Sequence, residues 1–284
     1  MLVLMLPDPL PPGLYIVATP IGNLSDLTAR AAATLRGASL ILAEDKRVTA
    51  KLLAHVEATA PMAVYHDHSS EAERTRILTL LGSEAVALVS DAGTPLISDP
   101  GYKLVRAARA AGHAVHTIPG ACAAIAALTL AGLPTDRFLF AGFLPAKAKA
   151  RGDSIAELGS IRASLVFYES GPRLGEALAA LADGLGARDG AVIREISKLH
   201  EETVTGTLAE LAARYADAPP RGEIVIVVGP PGEADAASDE ALDAALAEAL
   251  QTLTPSRAAA EVAAALNIPR KRAYARALAI GASG

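Results

Sequence analysis

The sequence predicts an α/β protein: two α/β domains in tandem, followed by a small C-terminal helical segment of helix-turn-helix type. Three observations predict it. The chain has 284 residues, 51% of them hydrophobic, enough for two cores. From Gly13 onward, short apolar runs alternate with longer amphipathic ones, the rhythm of strand and helix in turn. Past residue 230 the strand signal stops and alanine-rich helical patterns take over.

Residues 1–12 are apolar but interrupted by Pro7, Pro9, Pro11 and Pro12, and read as a disordered leader. Residues 13–120 form the first domain, with strands expected at 14–18, 40–43, 64–65, 85–89 and 115–118 and helices at 25–36, 48–55, 71–81 and 102–111. Continuous apolar strands separated by helices imply a largely parallel sheet covered on both faces. Residues 121–135 read as a bridging helix and turn. In the second domain, 136–230, strands are expected at 138–143, 164–168, 191–196, 203–207 and 224–228, with helices only at 173–185 and 208–215. Strands following one another through short turns favour a mixed or antiparallel sheet. The stretch 144–153, with Lys147, Lys149 and Arg151, reads as basic and flexible. The tail, 231–284, opens with an acidic linker. Three helices follow at 239–250, 255–266 and 269–279, with Thr254 and Asn267 near their starts and Arg270, Lys271 and Arg272 opening the last. This tail suits either a helix-turn-helix facing phosphate or an ordinary packed helical hairpin.

A single cysteine, Cys122, excludes an intrachain disulfide and points to a reducing compartment. No basic segment precedes the apolar leader, and the longest apolar run, 121–133, is shorter than the ~20 residues that span a bilayer. A cytoplasmic location follows as the expectation. A net charge of -5, 4% aromatics and no tryptophan exclude a globally basic or aromatic-platform nucleic-acid surface. Any RNA contact must come from local basic patches.

The chemistry concentrates at three strand ends, where ligands of open α/β sheets bind. They are Thr19-Pro20-Ile21-Gly22-Asn23, Glu44-Asp45-Lys46-Arg47, and Ser90-Asp91-Ala92-Gly93-Thr94-Pro95-Leu96-Ile97-Ser98-Asp99-Pro100-Gly101. Neither G-x-G-x-x-G nor G-x-x-x-x-G-K-[ST] is present, which removes the usual support for dinucleotide or nucleotide-hydrolase chemistry. Asn23 and Ser25 are expected to cap the first helix, and Asp99 the helix after Pro100. Capping leaves Asp91 and Gly93 unexplained, which points to a ligand. His66-Asp67-His68 has metal-like spacing but lacks a third ligand, so no metal is expected. Small residues at 119–124 would let a compact ligand approach backbone, and the charged strand ends at 167–173 and 194–202 would close a cleft over the rim.

With these motifs in this order, and with Asp99-Pro100-Gly101-Tyr102 and Pro255-Ser256-Arg257, the chain resembles the tetrapyrrole-methylase superfamily of S-adenosylmethionine enzymes. Within it, the chain is similar to the bacterial 16S ribosomal RNA 2'-O-ribose cytidine methyltransferases. It departs from their pattern at Lys46, Ala121 and Gly171-Pro172. The resemblance implies a cofactor trough between the two domains and a homodimer. It implies S-adenosylmethionine against Pro20, Gly22, Asp91, Ala92, Gly93, Thr94, Ile97, Ala121, Cys122 and Ala123, with Tyr168 and Ser170 from the second domain. The implied reaction is methylation of a decoding-centre cytidine ribose in 16S RNA of the 30S subunit, with Glu44, Asp45 or Lys46 as candidate base. RNA contacts are expected at Arg47, Lys147, Lys149, Arg151, Arg270, Lys271 and Arg272, with no membrane or DNA partner. A methylase of corrinoid or sirohaem precursors is the rival enzyme reading, and a non-enzymatic nucleic-acid regulator built on the tail is the rival of another class.

Overall fold

The computed structural model describes residues 9–217, 219–232, 239–266 and 270–281. Its first sheet contains β1 (Gly13–Val17), β2 (Leu40–Ala43), β3 (Met62–Val64), β4 (Ala85–Leu88) and β5 (Val115–Ile118). Every pairing is parallel, and the order is β3-β2-β4-β1-β5. Alternate residues of the apolar runs serve opposite faces. Tyr15, Val17, Ile41 and Ala87 pack under α1 (Ala29–Gly37) and α2 (Lys46–His55). Leu14, Ile16, Leu42 and Val86 pack under α3 (Glu71–Leu81) and α4 (Tyr102–Ala110). Because β2, β4 and β1 are adjacent, their C-terminal ends bring the three motif loops to one edge.

The second sheet holds β6 (Phe138–Phe143), β7 (Ser164–Ser170), β8 (Asp189–Arg194), β9 (Glu202–Thr207) and β10 (Glu223–Val228), in the order β6-β7-β10-β8-β9. Only β6 and β7 pair in parallel, so the sheet is mixed. One face carries α5 (Ala123–Leu130), and the other carries α6 (Ala148–Leu158), α7 (Leu174–Leu185) and α8 (Leu208–Tyr215). The tail forms α9 (Asp239–Ala249), α10 (Pro255–Ala265) and α11 (Arg270–Gly281), which share a separate apolar cluster around Leu242, Leu246, Val262 and Ala273. Among the described residues, no helix is long and apolar enough to cross a membrane.

Several local expectations are corrected. The first helix is split. Asn23 Oδ1 accepts the Ser25 N–H and caps only a 3-10 turn, Leu24–Asp26, whereas Thr28 caps α1 by accepting the Ala31 N–H. Asp99 caps nothing. Gly101, at φ +130, precedes α4, and its N–H donates to Asp67 Oδ1 at 3.1 Å. The stretch 144–153 runs into α6 instead of remaining loose, since Leu144 and Ile155 close the outer face of the second core. Arg151, expected to meet RNA, turns inward from that helix. It is 9% exposed, with its guanidinium near Glu176 and the Ala146 carbonyl. The leader through residue 8, the linker at 233–238 and Asn267 lie outside the described residues.

Candidate active site

The loops after β1 and β4 are stitched together by two backbone hydrogen bonds, Thr19 N–H to Gly93 O at 2.9 Å and Gly93 N–H to Thr19 O at 3.1 Å. This close approach places Gly93 at φ +79, with a β-carbon position only 3.3 Å from Ile21, so glycine is required there. Thr94 donates its hydroxyl to the Ala121 carbonyl at 3.0 Å and ties the same loop to the start of α5. Asp91 joins the third loop: its Oδ1 accepts the Asp45 N–H at 3.0 Å, and its own N–H donates to the Glu44 carboxylate. The rim predicted from three separate motifs is therefore one hydrogen-bonded unit.

Over this rim stands the second sheet, and between them lies a cleft of about 290 Å³. Ala92, Gly93, Thr94, Ile97, Ala123, Tyr168 and Ser170, all expected at the cofactor, line it. Ile21 of the first motif and Ile196 of the 194–202 strand end add apolar surface, Phe143 adds more that no motif announced, and Gly222–Val225 enter at the start of β10, where the sequence shows only an ordinary apolar strand. Three carboxylates, Asp99, Glu169 and Glu223, also line it, none of them among the residues expected at the cofactor. Burial raises the Asp99 pKa, and Asp91 adds to the rise, against a hydrogen bond from the Ser90 hydroxyl. Glu169 is buried, accepts the Ser170 N–H at 2.8 Å and faces Arg173 at 3.3 Å. Tyr168 accepts the Ala124 N–H at 3.2 Å, and burial pushes its phenol well up, so it stays neutral. Leu96 and Ser98 hold φ of +76 and +61 beside the cleft, backbone strain of the kind concentrated at ligand sites.

A second compartment of about 340 Å³ adjoins the first and shares Ile21, Ala92 and Glu223 with it. Pro20, Gly22 and Asp91 line this compartment and not the main cleft. Lys198 reaches it from the second domain, where its Nζ bridges Glu195 at 2.9 Å and Glu223 at 2.8 Å. Its stem crosses Gly22 so closely that a β-carbon there would lie 2.5 Å from Cε, while Ser197 hydrogen-bonds Asp26. Ala121 and Cys122 line neither space. The former serves through its carbonyl, and the latter precedes α5 and packs in the apolar cluster with Tyr168.

The three candidate bases separate cleanly. Asp45 caps α2 and holds the Arg47 guanidinium at 2.6 Å, which keeps its pKa down at about 2. Lys46 begins α2 and, like Glu44, is exposed. Glu44 has its pKa raised by burial and by Asp99 and Asp91, against the Asp91 N–H and His66. His66 and His68 lie in a turn past β3 with ring centroids 6.2 Å apart, and no cluster of three metal-ligating groups exists among the described residues. Of the expected RNA residues besides Arg151, Arg47, Lys149, Arg270 and Lys271 are exposed, Lys147 stands just before α6, and Arg272 is half-buried.

Residues 13–212 match the family model for tetrapyrrole (corrin/porphyrin) methylases, and 235–281 match that for the RsmI C-terminal HTH domain. The chain is 56% identical, over 95% of its length and 96% of the relative's, to a protein of Erythrobacter litoralis named ribosomal RNA small subunit methyltransferase I. A protein of the same name from Mesorhizobium japonicum is 46% identical over 95% of this chain and 92% of its own. Among solved structures, the chain resembles a Thermus thermophilus uroporphyrin-III C-methyltransferase complexed with S-adenyl homocysteine. The TM-score is 0.52 at 21% identity, covering 76% of this chain and 97% of that one, a likeness of fold.

Proposed function

The chain belongs to the tetrapyrrole (corrin/porphyrin) methylase family of S-adenosylmethionine-dependent methyltransferases, and we propose that its substrate is the RNA of the small ribosomal subunit. The observation that carries this reading is near-full-length identity of 56% to a relative of that name, the tail included. The likeness to the uroporphyrin enzyme is one of fold alone and gives the tetrapyrrole substrate no separate support. More finely, the acceptor is the ribose 2'-oxygen of a decoding-centre cytidine, and the enzyme acts on the assembled 30S subunit as a homodimer in the cytoplasm. Exposed Ile125 and Leu130 on α5 and Phe138 on the edge strand β6 support a self-association surface.

The main cleft fits the cofactor. Ile97, Phe143 and Ile196 offer apolar surface to an adenine, and Asp99 offers a carboxylate to a cationic sulfonium or amine. When bound, S-adenosylmethionine supplies an activated methyl group, leaving the protein to orient the acceptor and remove its proton. Tyr168, neutral and fixed on Ala124, holds the wall from the second domain. Of the two carboxylates, Glu44 is the one without an ion-pair partner that would hold it ionised at low pH, and it takes the acceptor's proton. Incubating the protein and S-adenosylmethionine with small subunits from cells lacking this methylase tests the reading. Mass spectrometry of the digested RNA should show a new 2'-O-methylcytidine, and its absence with the cofactor bound would refute the substrate.

Neutralising Asp99 has a charge-specific consequence. Asp99→Asn should weaken S-adenosylmethionine roughly tenfold or more, while the uncharged-sulfur product S-adenosylhomocysteine loses clearly less, because only the former carries the sulfonium charge. Calorimetric titration of both ligands checks this. Equal losses would place the sulfonium away from Asp99.

A further inference from the structure

The second compartment has no role in the cofactor site just described, and its wall contains an unusual atom. Thr49, on α2, is 3% exposed and lines the compartment, yet its hydroxyl oxygen is buried without any hydrogen-bond partner. A threonine in a helix ordinarily satisfies its hydroxyl on the preceding turn, and burying one unsatisfied is costly. Its place in the wall gives a ligand the means to satisfy it. On either side, Leu24 and Val48 present apolar side chains that remain 45% and 40% exposed. Lys51 lines the same space, about one turn along α2 from the exposed Arg47, so this side of the helix carries basic residues.

Lys51 is the cation here that favours an anionic group, since Lys198 is already neutralised by Glu195 and Glu223, while Leu24 and Val48 favour a flat one. Together these features suit a flat, polar-edged group attached to phosphates. We propose that this compartment receives the acceptor nucleoside of a single-stranded RNA segment, its base between Leu24 and Val48, its edge hydrogen-bonded to the Thr49 hydroxyl and its flanking phosphate against Lys51. Aliphatic walls and a single hydroxyl replace the aromatic stacking that this aromatic-poor chain cannot supply. The shared wall of Ile21, Ala92 and Glu223 puts a nucleoside held here directly beside whatever occupies the main cleft, and Asp91 in the same wall carries Glu44 at its edge. The assignment rests on the RNA-methylation reading and names where that substrate enters.

The test is steady-state transfer of tritiated methyl from S-adenosylmethionine to small subunits from methylase-deficient cells, alongside calorimetric titration of the cofactor. Thr49→Val keeps the side-chain shape and removes an unpaired buried hydroxyl, so the fold does not depend on it. It should lower kcat/KM about tenfold, with the cofactor Kd within twofold of the parent. Lys51→Glu, at an exposed position, should raise KM at least fivefold, with a larger effect at low salt. Wild-type kinetics in both variants would overturn the acceptor pocket while leaving the RNA reading intact. Weakened cofactor binding in Thr49→Val would overturn it by assigning the compartment to the cofactor. A parent enzyme that binds cofactor but methylates no RNA would overturn the RNA reading, and this assignment with it.

Discussion

Replacing Glu44 by glutamine is expected to slow methyl transfer roughly 100- to 10,000-fold while leaving cofactor affinity unchanged, the range that loss of a positioned general base produces. Glutamine keeps the length of the side chain and an oxygen able to accept the Asp91 N–H, so the rim stays assembled. What disappears is the group that accepts the acceptor's proton. The pH dependence gives an independent readout. Burial first, then Asp99 and Asp91, raises the Glu44 pKa above its ordinary 4.5. A base works when deprotonated, so the parent rate should fall as pH drops through that raised value, along a limb displaced above 4.5. The glutamine variant should show no such limb. Single-turnover rates across pH measure both effects, and a rate within a few-fold of the parent would move the base elsewhere. Asp45→Asn supplies a contrast: its amide oxygen still accepts the Arg47 N–H and keeps the α2 cap, so it should lose the Arg47 ion pair but retain the acid limb.

Gly171→Ala should be the most damaging single change to stability. A β-carbon there would lie 1.7 Å from the Pro220 carbonyl oxygen and 2.9 Å from its carbon, a collision with backbone that no rotamer change relieves. Nor can the strand yield easily, because Ser170 immediately before it pairs with Glu223 across the centre of the second sheet. The expected loss is about 3 kcal/mol, or about 5 °C in Tm for a chain of this size. Cofactor affinity should fall with it, since Tyr168, Ser170 and Glu223 all stand in the cleft wall. Thermal unfolding with and without S-adenosylhomocysteine measures both. An unchanged Tm would mean that residues 219–221 move aside without cost. The collision also accounts for Gly171-Pro172, where the chain departs from the pattern it otherwise resembles: here the returning segment occupies the space a side chain would need.

The parts of this protein written in local sequence were legible without coordinates. Hydrophobic period and helix breaks specified both sheets and most of their helices, α6 excepted, because each apolar run must bury itself on whichever partner covers it. The rim motifs were legible for the same reason: Asp91 and Gly93 had no local duty, and they prove to be the joint between loops 46 and 74 residues apart in sequence. Arg151 could not be read this way. Three basic residues in a row of alternate positions look like a solvated patch, and only the docking of α6 on the second core turns one of them inward. Asp99 likewise fits a helix cap in sequence, but Asp67 takes that duty from another loop and leaves Asp99 to the cleft.

Sequence by itself therefore determined the strands, most of the helices but not α6, the three-loop rim and the family, since these depend on residue type and spacing along one chain. Only tertiary structure decided that the rim opens into two adjoining spaces, that β10 and the Lys198 loop wall them, and that Thr49 lines one of them while its buried hydroxyl is left unpaired. The reason is geometric. A compartment is enclosed by segments remote in sequence, each making an ordinary local structure, and no one segment carries the shape of the space they enclose together.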